Sequence, residues 1–247
     1  DQVINRHDIF NVEMAQVLEY ASEMDSIVCL GIPPTRPDTN FGYIQTSDPG
    51  AQGRPVKIKT FTEKPDAELA KVFIESGEFL WNSGIFVGRA STLKAEMEKH
   101  SPMITKPWKG WEESLGSDDQ ENFLRRVYAD SPNIAIDYAV MEKTDNAMVY
   151  AAHFKWADIG NWESLYEYLA VHDANGNAIH PDSKTLIRES HGNIIYSDKK
   201  GKLTAIMGME DFMIIDTEEV LLICPRNGGK FKDFRAELVM PEFSDYR

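Results

Sequence analysis

Long apolar runs are missing from this chain. No uncharged stretch approaches the roughly 20 residues that a membrane-spanning helix needs, and no signal-peptide pattern opens it. Cysteine is scarce. Cys29 and Cys224 stand far apart inside apolar segments, without the close spacing of a zinc site or redox pair, so both are expected as buried thiols in a reducing, cytoplasmic compartment. Positive charge is short as well: 26 Lys and Arg face 40 Asp and Glu, a net charge of −14. A field of that sign repels phosphate backbones and anionic lipid, which excludes nucleic acid and membranes as expected partners. Aromatics at 11%, hydrophobics at 42% and charged residues at 27% make an ordinary globular chain. Its 247 residues suffice for one large domain or two modest ones.

The first two thirds read as α/β. Phe10, Met14, Val17, Ala21 and Met24 recur at helical spacing, and Ser26 to Gly31 is the short unbroken apolar run of a strand buried on both faces. Ile32 to Asn40 holds three prolines and must be an irregular loop. Val56 to Phe61 reads as a strand, Asp66 caps a helix that stops at Gly77, and Phe79 to Val87 reads as a strand interrupted by Asn82-Ser83-Gly84. Helices follow near Thr92 to Lys99 and Gln120 to Tyr128, Ile136 to Glu142 looks helical, and Met148 to Ala152 looks like a strand. Asn161 caps a further helix through Leu169, and Met103 to Gly116 has no assignable pattern. Past a boundary near Asp173 the composition turns β-rich, with apolar runs around Leu186, Ile194, Ala205, Ile214 and Leu222. Their spacing of about eight or nine residues suits a meander, sandwich or β-solenoid. The expected domains are 1–173 and 174–247.

Three familiar motifs fail on inspection. Gly228-Gly229-Lys230 lacks the first glycine and the Ser or Thr of a phosphate loop and reads as a turn. Ser83 lacks the first glycine of a nucleophile elbow. No two of the six histidines have the spacing of a helical metal site.

Four segments place polar residues where strand ends would put them: Asn40-Phe41-Gly42-Tyr43-Ile44, Phe61-Thr62-Glu63-Lys64-Pro65, Trp81-Asn82-Ser83-Gly84-Ile85-Phe86 and Trp156-Ala157-Asp158-Ile159-Gly160-Asn161-Trp162. Ligands of open α/β sheets bind at strand ends. Taken in this order, and together with Gly31 to Pro37, Ile136 to Thr144 and Asn175-Gly176-Asn177, these segments resemble the sugar-nucleotide pyrophosphorylases, most closely the bacterial mannose-1-phosphate guanylyltransferases. The resemblance implies a Rossmann-like nucleotidyltransferase domain followed by a short left-handed β-helix-like tail. Asn40-Phe41 departs from the Gly-Tyr usual there. Asp1-Gln2-Val3-Ile4 resembles a segment well inside such enzymes, so the N-terminal part with its glycine-rich triphosphate loop is expected to be missing and the chain reads as a fragment.

The implied reaction joins mannose 1-phosphate to GTP, giving GDP-mannose and pyrophosphate. By the same resemblance Asp1 and Asp158 would hold Mg2+, Glu63 and Asn82 would meet sugar hydroxyls, Lys64 would act as the catalytic cation beside the sugar phosphate, Gly42 would let backbone approach the ligand, and Asp137 would lie on the sugar side. The fragment alone is expected to retain part of the sugar recognition without turnover. Alternatives are a non-catalytic sugar-phosphate-binding or regulatory module, and a pyrophosphorylase for another sugar 1-phosphate. The β-rich tail could serve as an assembly surface, which leaves a homodimer open.

Overall fold

The computed structural model describes residues 2–160, 162–168, 172–199, 201–226, 231–237, 240 and 242–243. Asp1, the expected cap Asn161, Leu169 and the Gly228-Gly229-Lys230 turn lie outside them. The chain forms two compact units, one of residues 4–156 and one of residues 1–3 with 157–247.

The larger unit is built on strands β2 (Ile27–Ile32), β3 (Tyr43–Thr46), β4 (Val56–Thr62), β5 (Phe79–Val87) and β6 (Ala147–Ala151). They run in the order β2-β5-β3-β4-β6 and close on themselves. Only β2 and β6 pair in parallel; the other neighbours are antiparallel. All six residues of β2 are buried. Side chains alternate across a strand, so Val28, Leu30 and Ile32 enter one core with Tyr43, Trp81 and Tyr150. Ile27 and Cys29 enter the other with Ile44, Leu80 and Val149. Gly31 falls on this second side, where a Cβ would stand 2.7 Å from both Leu80 and Val149. A larger residue would displace a core side chain there.

Helix α1 (His7–Glu23) covers the first core through Val17 and Ala21. Helix α2 (Ala67–Ser76) starts where Asp66 Oδ1 accepts from Leu69 N at 2.8 Å, a side-chain cap that satisfies an otherwise orphaned helix donor. Helix α3 (Ala90–His100) follows β5. The stretch without a sequence pattern is a series of single turns: α4 (Pro102–Thr105), a 3-10 turn (Lys106–Trp108) and α5 (Trp111–Ser114), leading to α6 (Gln120–Asp130). Turns this short present no full helical period to read. Asp137–Met141 is a π-helical turn that packs Ala139, Val140 and Met141 against the second core.

β1 (Gln2–Asn5) and β7 (Lys155–Asp158) pair as a separate two-stranded sheet. After β7 come α7 (Trp162–Tyr168), then β8 (Ala178–Ile179), β9 (Lys184–Arg188), β10 (Ile194–Ser197), β11 (Leu203–Met207), β12 (Phe212–Asp216), β13 (Leu221–Pro225) and α8 (Phe231–Glu237). β8, β10 and β12 stack in parallel, and so do β9 and β11. That alternation of two parallel faces is a solenoid, and antiparallel β13 ends the stack. Cys224 on β13 is half-buried, not buried as expected: it lies on the strand's inner face against Ile194, Met213 and Ile215, but β13 is the edge of its sheet.

Inside the solenoid two fully buried asparagines form a ladder. Asn193 Nδ2 donates to Asn177 Oδ1 at 2.8 Å and to Met209 O at 2.9 Å, while its Oδ1 accepts from Phe212 N at 2.9 Å. Asn177 in turn donates to Asp173 and to Ser190 O. Each abandoned buried partner costs about 1–3 kcal/mol. Asn193→Ala is therefore expected to destabilise the β-rich unit by about 3 kcal/mol, read as faster limited proteolysis after residue 174 with the 4–156 unit intact. Equal resistance to protease would contradict the ladder's role.

Candidate functional site

Four chain segments converge within the larger unit. Glu63 and Lys64 follow β4; Gly42 ends the proline-rich loop ahead of β3; Asn82 lies mid-way along β5; and Asp137 opens the π-turn. The backbone ties the first strands together, since Asn82 N donates to Gly42 O at 2.7 Å. The Asn82-Ser83-Gly84 segment does not interrupt β5. It remains strand, and the irregularity appears as a register shift against β2 between Cys29 and Gly31. Ser83 is no nucleophile: its hydroxyl donates to Leu30 O at 2.8 Å inside the fold.

The side chains interlock. Asn82 Nδ2 donates to Asp137 Oδ1 at 2.9 Å, and Asn82 Oδ1 accepts from Gly84 N at 3.0 Å, which fixes the amide's orientation. Lys64 Nζ pairs with Glu63 Oε1 at 2.9 Å, an exposed ammonium against a carboxylate only 8% exposed. The other oxygen, Glu63 Oε2, is buried with no hydrogen-bond partner among the described residues. It faces Gly42, where an added Cβ would overlap it and stand 3.2 Å from Asn82 Cβ. Gly42 thus keeps open the space in front of an orphaned acceptor, and a buried lone carboxylate oxygen strongly favours any donor that can reach it.

Burial drives the Glu63 carboxyl above the ordinary range; the hydrogen bond from Lys64 opposes this, while the nearby Asp137 and Glu142 charges add to it. The Glu63 hydrogen bond chiefly raises Lys64. Behind the pocket, burial pushes the Cys29 thiol up, with Asp137 adding to it, so this cysteine is inert.

Gly42, Glu63, Lys64, Asn82 and Asp137 are therefore brought together. Asp158, the last residue of β7 and partly buried, belongs to the other unit; Asp1 is outside the described residues. Among the described residues no three His, Cys, Asp or Glu side chains form a ready metal cage. Glu142 was given no role by the sequence, yet its Oε1 accepts from Glu63 N at 3.0 Å. A seven-residue stretch read as α-helix does not set residues 137 and 142 on one side; the π-turn does.

A nucleotidyl transferase family profile matches residues 2–174, and one for the MannoseP isomerase/GMP-like beta-helix domain matches residues 184–230. The chain is 34% identical over 229 residues to the alginate biosynthesis protein AlgA of Pseudomonas aeruginosa, covering 92% of this chain and 46% of that protein. It is 32% identical over 234 residues to a mannose-1-phosphate guanylyltransferase of Escherichia coli K12, covering 92% and 47%. The chain thus spans about half the length of the curated relatives it matches. A solved structure titled mannose-1-phosphate geranyltransferase, from Thermus thermophilus, superposes with a TM-score of 0.81 at 26% identity, covering 97% of this chain and 68% of that one.

Glu63 also sets a stability signature. Its folded pKa lies above the unfolded value, so the folded state binds more protons, and stability falls as pH rises from about 4 through the folded pKa. Glu63→Gln cannot ionise. It is expected to be more stable than the parent at about pH 7–8, with the difference closing near about pH 4. Urea melts across pH check this, and a pH-independent difference would sink it.

Proposed function

The chain belongs to the nucleotidyl transferase family, whose profile spans residues 2–174, and from that premise we propose that the protein carrying it makes GDP-mannose and pyrophosphate from GTP and mannose 1-phosphate. A phosphate oxygen of the sugar phosphate attacks the α-phosphorus of GTP. The new P–O bond forms as the α–β bridging bond breaks, and pyrophosphate leaves with that bond's electron pair. No protein nucleophile is needed; positioning and charge neutralisation carry the chemistry.

The observation that carries this reading is the orphaned Glu63 Oε2 before Gly42. A sugar hydroxyl supplies the missing donor. Asn82 has a second amide N–H and Asp137 a second oxygen to offer beyond the bond they share. Lys64, with two donors beyond its contact with Glu63, stands as the cation for the sugar phosphate. Asp158, together with Asp1, holds Mg2+. When bound, that ion neutralises phosphate charge. Such a reaction fits the reducing cytoplasm, where GTP is made and two unpaired cysteines persist. A second reading, sugar-phosphate binding without turnover, is favoured for this chain by itself, because all five sugar-side residues lie in one unit.

The test uses the complete natural protein and a coupled pyrophosphate assay. Glu63→Ala is expected to raise KM for mannose 1-phosphate at least about tenfold while KM for GTP holds. Asp158→Asn should cut turnover about a hundredfold or more without unfolding the protein. The parent's failure to release pyrophosphate from this substrate pair would end the reading; mannose 1-phosphate binding by calorimetry with no turnover would favour the second.

A further inference from the structure

The Ile136 to Thr144 stretch contributes more to the pocket than Asp137. Glu142 follows the π-turn directly, and its own N–H donates to Asp137 O at 3.0 Å. Its carboxylate reaches a segment 79 residues away in the chain to accept from Glu63 N at 3.0 Å. One residue therefore grips both the turn that presents Asp137 and the loop that presents Glu63.

That loop needs holding. Lys64 adopts φ +48°, the left-handed region that side chains bearing a Cβ disfavour. Pro65 follows it, and a proline ring further restricts the residue before it. Backbone in such a conformation persists only where neighbouring contacts over-determine it. Among the described residues two contacts act here, both open to solvent: the Lys64 Nζ to Glu63 Oε1 ion pair, made by a readily exchanged ammonium, and the Glu63 N to Glu142 bond, which acts on the backbone itself.

We propose that Glu142 is a positioning residue of the sugar subsite: by accepting from Glu63 N it sets the Glu63-Lys64 turn so that Glu63 Oε2 is aimed over Gly42 before any ligand arrives. This deepens the sugar-recognition reading and rests on it for the kinetic consequence. The role requires an acceptor, not a charge. A glutamine at 142 keeps an oxygen at the same reach, whereas alanine leaves Glu63 N without its partner.

Two measurements on the complete natural protein decide it. Glu142→Ala is expected to raise KM for mannose 1-phosphate about fivefold to tenfold, with kcat and KM for GTP within about twofold; tenfold corresponds to about 1.4 kcal/mol. Glu142→Gln should stay within about twofold of the parent on all three. Hydrogen exchange at the Glu63 amide, followed in apo protein, should be faster in the Ala variant and near-parental in the Gln variant. Unchanged exchange in the Ala variant overturns the proposal, as does a Gln variant that behaves like Ala. A loss shared equally by both substrates and tracking a lowered Tm overturns it too, since that is what a merely structural residue would give. If the parent makes no GDP-mannose, it is the functional reading that has failed, and the exchange experiment still decides for or against Glu142.

Discussion

Strand β2 is buried on both faces, and the rest of the larger unit is arranged around that constraint. A strand with no wet face can carry no polar side chain, so recognition chemistry has to come from the segments around it. The proline-rich loop leads from its end to Gly42, β5 beside it carries Asn82, and parallel β6 on its other side follows the π-turn. Alternation along β2 also divides the interior into two cores. The second of these anchors Ala139, Val140 and Met141, so the turn bearing Asp137 and Glu142 is held by apolar packing from beneath. Polar geometry at the pocket thus rests on hydrophobic registration behind it.

Much of this was legible in the residues. The apolar run of β2, the Asp66 cap and the amphipathic α1 all have local causes, and each element falls within a residue or two of where its pattern ends. The pocket's membership was readable only because four short segments matched a family in order; none carries a period or spacing that marks it alone. Closure of the sheet through β4 and β6 was not readable, because it depends on Val56 meeting Val149, a pairing with no sequence signal across so long an interval. Glu142 escaped for a sharper reason. In an α-helix residues five apart point to different sides, and only the extra residue of a π-turn joins Glu142 N to Asp137 O.

The tail shows how a correct spacing can fit several folds. Runs eight or nine residues apart were compatible with a meander, but the strands pair with the second neighbour along the chain, not the next. The true repeat is a whole coil, visible in the 16 residues from Asn177 to Asn193 and the 19 from Asn193 to Phe212. The asparagines explain why parallel stacking wins. An amide carries both donors and an acceptor, so identical residues on successive coils satisfy each other and the intervening backbone. Phe212 occupies the next rung and offers only its backbone N–H, which Asn193 Oδ1 accepts. The ladder ends there, one strand before β13 turns antiparallel.

On the proposed reading, charge decides how the pocket would divide a sugar phosphate. The Asp137 and Glu142 charges act on the Glu63 carboxylate, and the Lys64 ammonium opposes them. A phosphate placed among the carboxylates would meet repulsion at short range, strongest beside the buried Glu63 carboxylate. Hydroxyls meet none, and each can donate to an oxygen such as Glu63 Oε2 that has no other partner. The neutral ring therefore suits the Gly42 side, and the anionic end suits the exposed ammonium of Lys64. On the proposed reading Glu63 would meet the neutral ring and Lys64 the anionic end, two neighbouring residues whose side-chain ends stand 2.9 Å apart. The left-handed backbone at Lys64 lies at the junction between the two, a conformation that persists only where neighbouring contacts hold it.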